Sequence, residues 1–394
     1  LGSALCVLSQ TGPQLVVFRV IQGVGGAMLI ANSFALITDA TPPAELGFAL
    51  GVNQIAFILG AVLGLTVGGA LIVTAGWRYI FAMNLPIGVF GTVWAHLRLQ
   101  EIAQTERHAS FDYLGLFLFT ASLTSLLLVI SLQTMAAIDN TETALFYLTS
   151  LVTFALFLYF EPRKSEPLLD MRLFKIRLFS AGNLSQLLYS LGFGALSLVV
   201  ILYFQLIRGY DPLTAGLLFL PLDLAFMSIG PISGRLSDRY GTRGFATLGM
   251  GVGAIGYVAL AFLVTATTPL IQIEIILIII GLGLGLFASP NISSIMGSVP
   301  PQRRGVASAI RATLFNTGNV VSIGLVAYII TTAIPYQVVS GIITGGYTTL
   351  TLTESIGFVT GMGRAFIVAA AITLVGMLVS SLRGREIKTR ATAS

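Results

Sequence analysis

The chemistry open to this chain rests on a few ionisable residues stranded in apolar sequence. Asp223 lies near the middle of the apolar run 213–234, two residues after Pro221. A carboxylate exchanges a proton when it moves between a dry setting and a wet or paired one, so Asp223 is the first candidate for proton coupling or ligand contact. The alternative is a structural carboxylate hydrogen-bonded to neighbouring helices. Glu274 falls about one turn inside the end of another run, where interfacial placement explains it equally well. Arg19 and Arg311 each sit about two turns inside a run. They read either as functional charges or as long side chains snorkelling to headgroups. Asp39 closes a run and reads as a gate or cap residue. The single cysteine, Cys6, excludes an internal disulfide and a thiolate cluster, and His96 and His108 do not make a metal site. There is no paired-His metal motif, phosphate loop or Gly-x-Ser-x-Gly elbow, so neither an enzyme nor a cofactor or metal is expected.

The elements that position these groups follow from composition. Of 394 residues, 55% are hydrophobic and 9% charged, and the mean hydropathy is +0.91. A soluble protein carries about a quarter charged residues, so the chain reads as an all-α integral membrane protein. Spans of about 20 apolar residues are expected near 13–38, 46–74, 79–97, 113–131, 144–160, 180–207, 213–234, 244–265, 270–297, 305–330 and 357–382, with 1–10 as the end of one more. If they alternate, 16 of the 21 Lys and Arg residues fall on one side. That asymmetry predicts a multi-pass protein of the cell membrane with basic loops and carboxy terminus in the cytoplasm. The net charge of +5 is then orientation charge, and no nucleic-acid partner is expected.

An internal repeat organises the spans. Gly23, Gly25, Pro42, Pro43, Gly47, Ala49 and Gly60 recur 258 positions later as Gly281, Gly283, Pro300, Pro301, Gly305, Ala307 and Gly318. Both copies run in the same sense, as in parallel repeats of six-helix bundles. The register predicts about 78 residues, two helices and part of a third, ahead of Leu1, and fourteen helices in all. The expected divisions are 1–100, the remainder of an amino-terminal bundle; 101–179, a linker with two extra helices; 180–383, a carboxy-terminal six-helix bundle; and 384–394, a cytoplasmic tail.

Three motifs resemble the major facilitator superfamily, in its fourteen-helix drug:proton antiporter branch. Gly230-Pro-Ile-Ser-Gly-Arg-Leu-Ser-Asp-Arg-Tyr-Gly-Thr-Arg resembles the family's Gly-x-Leu-x-Asp-Arg-x-Gly-Arg loop. It implies a gate using Gly234, Asp238, Arg239, Gly241 and Arg243, with Asp238 interacting with the positive end of the following helix and nearby arginines. The alternative is a loop that only sets topology. Arg19-Val-Ile-Gln-Gly-Val-Gly-Gly-Ala resembles the family's Arg-x-x-Gln-Gly-x-Gly-x-Ala helix, which implies a proton-relay or acid-stabilising role for Arg19. Gly51, Gly60, Gly64, Gly68 and Gly69 follow the antiporter helix motif, with Leu65 where the family has Pro; a straighter helix is expected.

Trp77–Gly88, Phe111–Gly115 and Pro167–Phe174 resemble further stretches of the branch and read as interface elements, with 163–178 as a basic amphipathic surface segment. The resemblance implies the major facilitator fold, alternating access, and proton-coupled efflux of small hydrophobic or cationic drugs by a monomer in the bilayer. A metabolite exporter or importer is the related alternative, and a membrane-embedded enzyme the reading from another class. The implied cavity between the halves draws on Asn53, Gln54, Phe57, Gln186, Tyr189, Tyr203, Gln205, Asn291, Phe315, Asn316 and Asn319. An amide and aromatic lining suits amphipathic cations or neutral drugs; alternatively these side chains satisfy one another.

Overall fold

The computed structural model describes residues 1–98, 112–135, 138–164, 169–343 and 349–384, and among them there is no strand. The amino-terminal helices are α1 (Gly2–Leu8), α2 (Gly12–Ala40), α3 (Leu46–Thr74), α4 (Arg78–Ala82) and α5 (Asn84–Arg98). A linker pair follows, α6 (Tyr113–Thr134) and α7 (Asn140–Phe160). The rest are α8 (Arg177–Phe193), α9 (Leu196–Leu202), α10 (Pro212–Tyr240), α11 (Thr242–Leu263), α12 (Leu270–Gly297), α13 (Arg304–Thr331), α14 (Tyr336–Ile343) and α15 (Leu352–Ser381). Among the described residues, eleven segments are long and apolar enough to cross a bilayer; α4 with α5, and α8 with α9 and the π-turn Tyr203–Ile207, each count as one. This is the expected set of spans, in a multi-pass membrane protein.

Local chemistry sets the helix starts. Asp112 and Asp211 accept backbone N–H groups of the first turn. Asp139 with Glu142, and Thr351 with Glu354, form reciprocal capping boxes. At its exposed cap, hydrogen bonds from Thr214 hold the Asp211 carboxyl below its usual range. The repeat is visible in the elements: α2 and α12 start 258 residues apart, as do α3 and α13.

α12 is the axis of the carboxy-terminal bundle and packs on α10 and α11. Gly249 lies so close to α12 that a Cβ would meet Phe287 N at 2.5 Å, and Gly283 meets Gly253 N at the same distance. The linker pair packs together, and α6 packs against α13, with Gly324 on Ile130. α3 docks on α10, and α2 on α13.

Asp238 and Arg304 reach the α2–α3 turn, Arg303 reaches Asp170, and Arg177 reaches the Leu382 carbonyl. These basic loops share one end of the molecule, the basic end. Arg78, Arg208 and Arg364 hold carbonyls of Ser9, Thr268 and Thr332 at the other.

Two details differ from the expected pattern. The 180–207 crossing breaks at Gly194, where a Cβ would meet Asn319 Cα at 2.6 Å, and Ser322 Oγ accepts the Ala195 N–H at 3.1 Å. The close approach of α13 and its hydroxyl replace the straight helix. The expected loop over 331–356 contains α14, which buries Val338, Val339 and Ile342 in the core. Phe111, residues 165–168 of the amphipathic segment and the tail from 385 lie outside the described residues.

Candidate functional site

The contact between α3 and α10 is made of backbone. A Cβ on Gly51 would meet Pro231 Cα at 2.6 Å, and one on Gly47 would meet Gly234 O at 2.6 Å. Gly234 lies against the Gly47 carbonyl, and Ser289 Oγ of α12 donates to that carbonyl at 2.5 Å. Helices this close need glycine on both sides.

Asp238 completes the contact. Its Oδ1 accepts the Gly47 N–H at 2.8 Å and its Oδ2 the Phe48 N–H at 3.0 Å. Asp238 thus caps α3, a helix of the other bundle that the local reading of its loop did not reach. α3 has no side-chain cap of its own at Glu45, so Asp238 supplies the missing acceptor to orphan first-turn donors. Gly241 closes α10 with φ +97°, a conformation that favours glycine. Arg239 lies over the Tyr240 ring, and Arg243 is exposed.

A second contact joins α2 to α13 by side chains. Arg304 donates to Asp39 Oδ1 at 2.5 Å, and the buried Arg311 guanidinium lies 4.1 Å from the centre of the Phe34 ring. Among the described residues Arg311 therefore meets an aromatic face and no acid, and its burial shows that it does not snorkel. Arg19 is exposed, donates to Gln22 Oε1 at 2.6 Å and lies 5.7 Å from the Phe81 ring centre.

Asp223 is half-buried on α10 and makes no hydrogen bond or ion pair among the described residues. It lies eight residues from Pro231, about 12 Å along the helix, at the level where Ile58 of α3 joins the Leu222–Phe226 core. Glu274 is half-buried in the second turn of α12.

The cavity residues separate into two groups. Asn53 and Gln54 of α3 are half-buried, and Phe57 of α3 and Asn316 of α13 are exposed. Gln186, Tyr189, Tyr203 and Asn291 are instead buried inside the carboxy-terminal bundle. Tyr203 donates to the Thr265 carbonyl at 2.6 Å, and Tyr189 stacks on Phe287 with ring centres 4.7 Å apart. Asn291 donates toward Gly182 O and Gln186 Oε1 and accepts from Arg383. Of the antiporter-motif glycines, Gly51 makes the close contact, whereas Gly60 and Gly64 are exposed and Gly68 is buried; the surroundings of Gly69 lie outside the description. Sequence reasoning missed Ser289 and Phe34 as partners across the bundles.

Two helical bundles meeting across a glycine seam, with a carboxylate of one capping a helix of the other, have the architecture of a membrane carrier. The profile of the Major Facilitator Superfamily matches residues 1–323, and the chain belongs to that superfamily of transporters. It is similar to the riboflavin transporter RibZ of Clostridioides difficile, 30% identical over 80% of this chain and 68% of that protein. It is also similar to a multidrug resistance protein B homolog of Mycobacterium tuberculosis, 33% identical over 69% of this chain and 51% of that one. The putative multidrug resistance protein MdtD of Salmonella typhimurium is 30% identical over 67% of this chain and 56% of that one. The chain thus spans about half to two thirds of the length of these relatives. Among solved structures, the human organic anion transporter MFSD10 superposes with TM-score 0.62 at 16% identity, covering 96% of this chain and 74% of that one. The proton:xylose symporter XylE gives 0.59 at 14% identity, over 96% and 75%. These two likenesses bear on the fold alone.

Proposed function

We propose that the chain is part of a proton-coupled exporter of hydrophobic or cationic organic compounds, working as a monomer by alternating access with its basic end in the cytoplasm. The observation that carries the mechanism is Asp238 bound to the α3 N-terminus. A contact between bundles made of two charge-assisted hydrogen bonds and a helix dipole is worth a few kcal/mol, enough to hold one state and weak enough to release it. With that contact made, the basic end is the closed side, and the substrate path between the bundles opens the other way. The multidrug names of the relatives support the substrate class, and Asn53, Gln54, Phe57 and Asn316 supply amide and aromatic surface for it. Asp223 supports proton coupling, because a mid-membrane carboxylate with no fixed partner can take up a proton in one state and release it in the other.

The test uses vesicles energised with a proton gradient and carrying the full protein. Efflux of a cationic dye that a protonophore abolishes is expected, and no such efflux would end the proton-driven reading. Asp223→Asn should keep expression and flatten the pH dependence of transport; an unchanged profile removes Asp223 from the coupling. A second reading, transport of an endogenous metabolite, is favoured by the similarity to RibZ. Gradient-dependent riboflavin movement without dye movement would select it.

A further inference from the structure

Between α11 and α15, at the basic end, an open groove of about 720 Å³ runs along the outside of the carboxy-terminal bundle. The main neighbours of α11 are α10, α12 and α15, while α2 and α3 pack on α10, α12 and α13, and α6 packs on α13. The groove is therefore on the face turned away from the seam and the linker pair, where the bilayer surrounds the protein. Leu248, Val252, Ile255 and Leu374 form its apolar walls. Gly244 and Gly251 hollow it: nothing lies within 4 Å of a Cβ at Gly244, and only Met377 Sδ does at Gly251.

Its length and its mouth select the occupant. From Arg243 to Ile255 is twelve residues, about 18 Å of helix. Half of a hydrocarbon core of ~30 Å, with the start of the headgroup layer, has the same depth. The mouth is cationic: Arg243 is exposed and makes no hydrogen bond or ion pair among the described residues, and the nearest acid in sequence, Asp238, is engaged by α3. Two hydroxyls flank it, and both already donate within the protein, Thr247 to Ser380 Oγ at 3.1 Å and Ser381 to the Leu378 carbonyl at 2.7 Å. Their remaining lone pairs suit a headgroup that donates.

We propose that this groove binds one anionic glycerophospholipid with a hydroxylated headgroup. Its phosphate lies against Arg243, its headgroup hydroxyls donate to Thr247 and Ser381, and one acyl chain lies along Gly244, Leu248, Gly251 and Ile255. A basic pocket between membrane helices that faces an anionic leaflet has the required charge complementarity. The site is independent of what the protein transports, and it adjoins the Asp238 contact through Gly241.

Native mass spectrometry of the full chain in neutral detergent, with phosphatidylglycerol or phosphatidylcholine added, tests this. One phosphatidylglycerol should be retained about tenfold more tightly than phosphatidylcholine. Arg243→Gln should weaken phosphatidylglycerol about fivefold and leave phosphatidylcholine unchanged. Gly244→Leu, which fills open space and meets no backbone, should weaken both lipids. Equal retention of the two lipids, or an unchanged phosphatidylglycerol affinity in both variants, overturns the proposal. So does a dimer that Gly244→Leu dissociates, which would make a second copy the occupant.

Discussion

The two contacts that join the bundles at the basic end are built from different materials. α3 meets α10 backbone on backbone, through Gly47, Gly51, Gly230 and Gly234, with Asp238 clamped on two N–H groups. α2 meets α13 through long side chains, Arg304 on Asp39 and Arg311 on Phe34. The first contact has no slack, because neither backbone can give way. It is made or broken as a unit, which is what a bistable transition between packed states requires. The second can stretch, since Arg rotamers would adapt to the rocking of the bundles that alternating access requires. In the proposed alternating-access cycle, the backbone contact would define the closed state and the side-chain contact would adjust how often it is visited.

The largest effect should come from Gly234→Leu. Overpacking costs ~1–3 kcal/mol, so the closed population should fall roughly five- to a hundredfold. A cysteine pair engineered across the α2–α3 turn and the turn at Gly241 would report closure, because the native Cys6 is buried. Cross-linking should be lost while helical content is unchanged. Wild-type cross-linking would mean that the helices do not meet through glycine. Asp238→Asn is next. It keeps one acceptor and removes the charge at the α3 N-terminus, worth ~1–2 kcal/mol in a partly buried site. Closure should weaken about five- to thirtyfold by the same assay, and equal cross-linking would show that the hydrogen bonds suffice without the charge.

Asp238 also shows how far sequence carries. Its loop was legible from residue order alone, but its partner was not, because Gly47 lies 191 residues away and no local pattern pairs them. Hydropathy gave the spans because a bilayer demands ~20 apolar residues from each. It could not reveal the eight residues of α14, which are too few for that demand. Tyr203 looked like cavity lining because tyrosine joins an aromatic face to a polar tip. Its hydroxyl found the Thr265 carbonyl instead, as a buried hydroxyl must find some acceptor. Phe34 carried no signal at all, as one of 25 phenylalanines.

Phe34→Leu sharpens the comparison from the other side. Leucine keeps most of the apolar volume and removes the ring face under Arg311, a cation–π contact of ~1 kcal/mol or somewhat more when desolvated. Closure should fall about fivefold. Because both partners are buried, the loss should be the same at low and high salt. A strong salt dependence would mean that the guanidinium is reached by solvent ions and that the contact is not a dry one.

Arg304→Gln should have the smallest effect. The Arg304 and Asp39 side chains are 19% and 18% exposed, between a buried pair and a surface one, and surface pairs are worth ~0–1 kcal/mol. A two- to fivefold loss of closure at low salt is expected, fading as the Debye length shortens to ~3 Å near 1 M salt. A double-mutant cycle with Asp39→Asn separates the ion pair from other consequences of losing the guanidinium, which also reaches the Thr38 carbonyl at 3.5 Å. A coupling energy that salt removes assigns Arg304 to the adjustable contact. A coupling that survives 1 M salt would place the pair with Asp238, as part of the contact that defines the closed state.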